Sequence, residues 1–275
     1  MTDVRLHITD SGGEGRPVVL IHGWPLSGES WQAQRRALTA AGYRVVDYDR
    51  RGFGQSDKPE DGYDYDTFAD DLDSVLTSLD LVDVTLVGFS MGGGEVARYI
   101  ARHGESRIRS AVFAAAVTPY MHKTDDNPDG PLDDELYGQL RGGLVEDRDA
   151  FFEDFVRGFF SVGDDVKVGD GELKAAVELC QQSSQTAAVG AMDAWATTDF
   201  RPDLEKVTVP TLVIHGAGDG TVPFEGSGKR THEAIPHSEL VVIDDAPHGF
   251  NASHADEFNT ALLAFVSDEA PGVDA

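Results

Sequence analysis

Val84-Thr-Leu-Val-Gly-Phe-Ser90-Met-Gly-Gly-Gly-Glu-Val-Ala97 is the stretch that decides the fold. A short apolar, β-branched run ends at Gly88, and a helical pattern runs from Met91 to His103, where Gly104 stops it. Between them, Gly88-Phe89-Ser90-Met91-Gly92 puts a serine on the turn from strand to helix, a G-x-S-x-G arrangement. A hydroxyl that stands above a sheet needs a very sharp turn. Such a turn forces an unusual backbone angle and leaves no room for side chains two residues to either side; Gly88 and Gly92 leave that room. The helix that follows points its N-terminus at the serine and favours negative charge there. A phosphate loop is excluded, because no Gly-Lys-Ser/Thr follows; Gly228-Lys229-Arg230 lacks both the hydroxyl residue and the upstream glycine.

Outward from this turn the chain alternates strands and helices. Upstream, Val4 to Thr9 alternates apolar and polar, Pro17 to His22 is a continuous β-branched run, Ser30 to Ala41 suits a helix, and Tyr43 to Asp49 suits a buried strand. Thr67 to Leu81 carries apolar residues at helical spacing, and Ile108 to Val117 is strand-like. From Pro119 to about Phe200 no strong strand is visible. That stretch mixes an acidic loop, Thr124 to Asp134, with helical segments, one of them rich in phenylalanine between Phe151 and Phe160. Strands return at Val209 to Gly216 and Glu239 to Asp244; Ala255 to Val266 makes a last helix, and Ser267 to Ala275 reads as a frayed tail. The pattern predicts an α/β fold: a mostly parallel twisted sheet with helices on both faces, core residues 1–118 and 201–275, and a helical cap insert at 119–200.

Composition narrows the function classes. The 275 residues are 40% hydrophobic and 26% charged, the balance of a folded globular chain. The net charge of −27 repels phosphate backbones and anionic lipids, which argues against nucleic acid and membrane surfaces as partners. So acidic a surface resists aggregation, and it also suits a protein that folds best when salt screens its self-repulsion. No apolar run approaches the ~20 residues of a bilayer span. Met1-Thr-Asp-Val-Arg-Leu-His does not read as a secretory leader. The single Cys180 permits no intrachain disulfide, and a cytoplasmic location is the simplest expectation. No His-Glu-x-x-His, clustered His and Cys, or dinucleotide fingerprint is present, so no metal or cofactor is called for.

These stretches together are similar to the α/β-hydrolase superfamily along the whole chain, and within it to the cofactor-free bacterial haloperoxidase, aryl esterase and perhydrolase group. The resemblance is carried by Ile21-His-Gly-Trp-Pro-Leu-Ser27, Tyr48-Asp-Arg-Arg-Gly-Phe-Gly-Gln-Ser56, the Ser90 turn, Thr198-Asp-Phe-Arg-Pro202 and Pro247-His-Gly249. The fold orders its triad as serine, acid, histidine. His248, just after the last strand, is the best match for the general base, ahead of His232, His237 and His254; His215, inside a strand, reads as structural. Asp219, in Gly216-Ala-Gly-Asp-Gly-Thr-Val-Pro223, fills the acid slot, while Asp244 and Asp245 read as strand-end residues. The resemblance assigns the two oxyanion-hole amides to Trp24 and Met91. Pro25, Val222, Trp195 and Phe159 are candidates for the substrate pocket, and the turn at 49–56 reads as structural.

The resemblance implies a serine hydrolase of small aryl or alkyl esters whose acyl-enzyme is cleaved by water or by hydrogen peroxide. Peroxide would give a peracid, which oxidises halide away from the site without metal or haem. Group members with Pro at position 25 incline to peroxide, and Pro25 can aim the Trp24 carbonyl at it by restricting the preceding residue. A γ-lactamase or amidase would use the same triad, and an inactive binding protein could keep the fold. Dehalogenases and epoxide hydrolases place Asp where Ser90 stands and do not match. Relatives in the group often assemble, so a homo-oligomer is compatible with this reading.

Overall fold

The computed structural model describes residues 4–268. The first half of the chain forms β1 (His7–Asp10), β2 (Pro17–Ile21), α1 (Gln32–Ala40), β3 (Arg44–Asp49), α2 (Tyr65–Ser78), β4 (Val84–Phe89), α3 (Met91–His103) and β5 (Ile108–Ala114). There follow α4 (Asp134–Glu146), α5 (Arg148–Phe159), a two-stranded hairpin of β6 (Ser161–Val162) and β7 (Asp165–Val166), α6 (Asp170–Gln181) and α7 (Gln185–Thr197). The chain then returns to the sheet through α8 (Arg201–Leu204), β8 (Thr211–Gly216), α9 (Gly228–Ala234), β9 (Glu239–Ile243), α10 (Phe250–Ser253) and α11 (Ala255–Asp268).

Seven strands lie in the order β1-β3-β2-β4-β5-β8-β9. Only β1 runs antiparallel to its neighbour; the other pairings are parallel. Consecutive residues of β4 and β8 are buried without alternation, so both faces of the sheet centre are covered. Helices α1 and α11 pack on each other, and α2 packs on α3. Because the central strands are parallel, the loops that leave β2, β4, β8 and β9 all emerge at one edge of the sheet, which is where ligands bind in such sheets.

Local chemistry explains the helix starts. Asp64, Asp133, Asp147 and Ser184 each accept a backbone N–H at the beginning of α2, α4, α5 and α7. The helix expected at 67–81 therefore begins two residues earlier, behind Asp64, and stops at Ser78. The strand expected from Val4 starts at His7, and the one expected to reach Val117 ends at Ala114, before Ala115 turns to φ 43°. The 119–200 stretch does hold strands, though only the two-residue pair β6–β7. The short helices α9 and α10 carry too few apolar residues to show a period. The tail expected to fray is helical through Asp268; residues 269–275 lie outside the described residues. Among the described residues no helix is long and apolar enough to cross a membrane.

A buried polar network ties β2, β3 and α3 together. Arg50, just past β3, donates from Nε to Glu95 Oε2 on α3 at 2.8 Å and from an amino group to the His22 carbonyl at 2.9 Å. Its own amide donates to His22 Nε2 at 3.0 Å. The Tyr48 hydroxyl donates to Glu95 as well, and burial beside that carboxylate pushes the phenol well up, so it stays a donor. Arg50 and Glu95 are 1% and 0% exposed. A pair so deep contributes register more than net stability, but removing one partner strands the other charge. Glu95→Ala is expected to cost about 3–5 kcal/mol in urea denaturation; a loss below about 1 kcal/mol, the range of an exposed pair, would contradict the network's role.

The surface carries many Arg–Asp pairs, among them Arg44–Asp10 at 2.6 Å, Arg102–Asp70 at 2.7 Å and Arg141–Asp193 at 2.8 Å. Exposed pairs of this kind are individually weak, whereas the excess of 27 negative charges repels over the whole surface. Salt weakens both terms, and with 49 acidic against 22 basic residues the repulsion is expected to respond more. Raising KCl from about 0.1 to about 1 M, which shrinks the screening length from ~10 to ~3 Å, is expected to raise Tm; a flat or falling Tm would show that the attractive pairs dominate.

Candidate active site

Ser90 sits between β4 and α3 with φ 55° and ψ −118°. This is a costly conformation for a residue with a Cβ, and the surroundings impose it. A Cβ on Gly88 would collide with the Gly92 backbone, and one on Gly92 with the Ile21 carbonyl, so α3 approaches β4 and β2 as closely as only glycine allows. The Ser90 amide donates to the Ala114 carbonyl at 2.8 Å, and its carbonyl accepts from Gly93 and Val117 at 3.0 and 3.2 Å. The backbone under the hydroxyl is thus held by the neighbouring strand and the helix start.

The loop after β9 carries His248 to this point. Its Nε2 lies 2.9 Å from Ser90 Oγ, and its Nδ1 lies 2.6 Å from Asp219 Oδ2. With a carboxylate facing Nδ1, the proton sits on Nδ1 and Nε2 is free to accept from the serine. Ser90, Asp219 and His248 are 5%, 6% and 1% exposed. The ring of His248 stacks obliquely on Phe89 at 5.1 Å and meets Phe159 edge to face at 5.0 Å. The Gly249 amide donates to the Phe159 carbonyl at 2.8 Å, which ties the histidine loop to the end of α5.

Asp219 follows β8, and its carboxylate is well supplied with donors. Oδ1 accepts from the Thr221 and Val222 amides at 2.9 and 2.8 Å. Oδ2 faces His215 Nε2 at 3.3 Å in addition to His248. Burial alone would raise this carboxyl, but attraction to His248 and the bonds from His215 and His248 outweigh it and hold Asp219 well below the usual carboxylate range. It therefore stays ionised and acceptor-only.

The rival residues lie elsewhere. His232 bonds Ser238 Oγ, His237 bonds the Val209 carbonyl, and His254 bonds Ser253. His254 falls between α10 and α11. Asp245 pairs with Lys167 at 2.6 Å. In the turn at 49–56, Asp49 accepts from the Gly28 and Gln55 amides at 2.8 and 2.7 Å.

Trp24 leaves β2 through the loop at Gly23, where a Cβ would press on Phe89 and Ser90. Among the described residues neither the Trp24 amide nor the Met91 amide has a hydrogen-bond acceptor, and no donor is bonded to the Trp24 carbonyl. The Trp24–Pro25 peptide is cis, and Pro25 is buried. The Trp24 indole N–H donates to the Ala188 carbonyl of α7 at 2.9 Å. Its ring touches Phe155 and Phe152 of α5 at 5.1 and 6.2 Å and Trp195 of α7 at 6.0 Å. Phe159 and Trp195 thus come together with the imidazole and with Trp24 respectively. Val222 is 2% exposed, and its backbone amide donates to Asp219. The contact between His215 and Asp219 escaped sequence reasoning, although the four-residue spacing from strand end to acid was open to view.

Comparison with known proteins bears on the fold and the family. A family model described as alpha/beta hydrolase fold matches residues 16–255. A non-heme chloroperoxidase of Kitasatospora aureofaciens is 47% identical over 258 residues, covering 93% of this chain and 94% of that protein. A bifunctional esterase/perhydrolase of Acinetobacter calcoaceticus is 37% identical over 266 residues, 96% of each chain. Among solved structures, a bromoperoxidase from Bacillus anthracis superposes with a TM-score of 0.94 at 52% identity over 96% of each chain. With its parallel sheet, its serine on a glycine-flanked turn and these relatives along nearly its whole length, the chain belongs to the α/β-hydrolase family.

Proposed function

We propose that this chain is a serine hydrolase of small carboxylic esters that also passes the acyl group to hydrogen peroxide. The observation that carries the reading is the unbroken line of contacts from Ser90 Oγ through the His248 ring to Asp219, 2.9 Å and 2.6 Å. The names of the relatives, a chloroperoxidase and an esterase/perhydrolase, support esters and peroxide as the two reactants. They do not point to lactams, and a binding protein has no need of an aligned imidazole.

In this reading Ser90 Oγ attacks the ester carbonyl while its proton passes to His248 Nε2. The negative oxygen of the tetrahedral intermediate takes the amides of Trp24 and Met91, assisted by the N-terminus of α3. Asp219 keeps the imidazole in the required tautomer and stabilises its charged form. Collapse breaks the ester C–O bond, and His248 returns the proton to the departing alcohol. Water or hydrogen peroxide then gives a proton to His248 and attacks the acyl-serine, releasing acid or peracid and restoring Ser90. Peracid that leaves the site oxidises halide to hypohalous acid and is itself reduced to the carboxylic acid.

Residues 119–200 act here as a cap over a core of 1–118 and 201–275. The cap supplies Phe159 and Trp195 as walls of an acyl or aryl pocket, with Pro25 on the core side and Val222 as a neighbour of the acid. The Trp24 carbonyl accepts a hydrogen bond from peroxide or peracid. The partners are small molecules, a cytoplasmic location suits a chain with one cysteine, and a homo-oligomer is compatible with the high charge if its interface is apolar.

One panel tests this: hydrolysis of p-nitrophenyl acetate and peracetic acid formation from acetate and peroxide. Ser90→Ala is expected to lose both activities by about 10⁴-fold or more, and Pro25→Leu to lower the ratio of perhydrolysis to hydrolysis. Activity retained in Ser90→Ala would refute the serine mechanism; an unchanged ratio in Pro25→Leu would remove the role given to Pro25.

A further inference from the structure

His215 is completely buried at the end of β8 and was expected to be structural. Its Nε2 faces two oxygens, the Val222 carbonyl at 2.8 Å and Asp219 Oδ2 at 3.3 Å. Both are acceptors, so the ring proton is on Nε2; it is donated to the Val222 carbonyl, with the Asp219 oxygen close beside it. The opposite nitrogen, Nδ1, lies against Gly228, where a Cβ would collide with it, and has no hydrogen-bond partner among the described residues. The imidazole is boxed in further by Phe224, ring centroids 5.6 Å apart. A buried nitrogen left unpaired is a cost, and its partner nitrogen is the one that gains.

We infer that His215 is a positioning residue for Asp219: its Nε2–H anchors the Val222 carbonyl and turns the positive edge of the ring toward the oxygen that His248 uses. The inference rests on the triad reading above and deepens it. Two hydrogen bonds and one longer polar contact close a ring. The Val222 amide donates to Asp219 Oδ1 at 2.8 Å, the Val222 carbonyl accepts from His215, and His215 reaches back to Asp219 Oδ2. Asp219 sits on a turn of Gly218, Gly220 and Thr221, and without His215 its carboxylate would be left to two backbone amides and to His248 itself. Displacement of about 1 Å at a catalytic group is enough to cost on the order of 100-fold. His215 touches neither substrate nor Ser90; it acts through the acid.

The test compares His215→Leu, which removes the donor, with His215→Gln, whose Nε2 reaches the place of the imidazole Nε2. Rates are expressed per active site titrated with a fluorophosphonate, and Tm is recorded alongside. His215→Leu is expected to lower kcat for p-nitrophenyl acetate about 10- to 100-fold with KM unchanged, and His215→Gln to recover most of that loss. If the Leu variant does not fold, His215→Asn replaces it, because its amide stops short of Asp219 and is expected to be as slow. The proposal is overturned if donor-lacking variants match wild type per titrated site, or if Gln is no faster than they are whatever their stability. Failure of the triad reading would show separately, as activity persisting in Ser90→Ala.

Discussion

The imidazole of His248 is the joint on which this structure turns. It makes two hydrogen bonds, to a serine 158 residues upstream and to an aspartate 29 residues upstream, and each has to be short at once. That is possible because β4, β8 and β9 are parallel members of one sheet, so the turns that follow them lie at one edge. The constraint propagates backwards. Ser90 has to stand proud of the sheet, which forces a positive φ, which in turn demands that α3 nearly touch β2 and β4 through Gly88 and Gly92.

Two further devices keep the edge in register. The Arg50–Glu95 pair fastens the segment after β3 to α3, and Arg50 also holds the His22 carbonyl at the start of the loop that bears Trp24. The two amides assigned to the oxyanion therefore come from elements joined by one buried ion pair, and their spacing does not depend on flexible loops alone. Trp24 then reaches the other way: its indole bonds the Ala188 carbonyl and its ring lies among the aromatics of α5 and α7. Trp24 is one link between the segment at 119–200 and the surroundings of Ser90, and Phe159 of the same segment, edge-on to the imidazole, is another.

Much of this could be read from the chain. The serine turn and the helix Met91–His103 follow from local pattern, since glycine placement and hydrophobic period are properties of short windows, whereas the order serine–acid–histidine comes from the family resemblance. What stayed hidden depends on distant partners. Glu95 lies in a helix of small residues and reads as a solvent-facing charge until Arg50, 45 residues away, is seen beside it. His215 in a run of Leu, Val and Ile reads as a tolerated core histidine because its contact arises only when the 217–222 turn folds back on the strand. Val222 is a pocket candidate by its place after the acid, and only the folded turn shows its amide on Asp219. The short helices α9 and α10 fell below the length at which a period can be recognised.

The central claim is that Ser90 is the nucleophile and that the Trp24 and Met91 amides face the oxygen that becomes negative. A crystal structure of the fluorophosphonate-treated protein tests it most directly. The account predicts phosphorus bonded to Ser90 Oγ with its doubly bonded oxygen about 2.7–3.1 Å from both amide nitrogens. Phosphorus on another residue, or an oxygen turned away from the two amides, would contradict it.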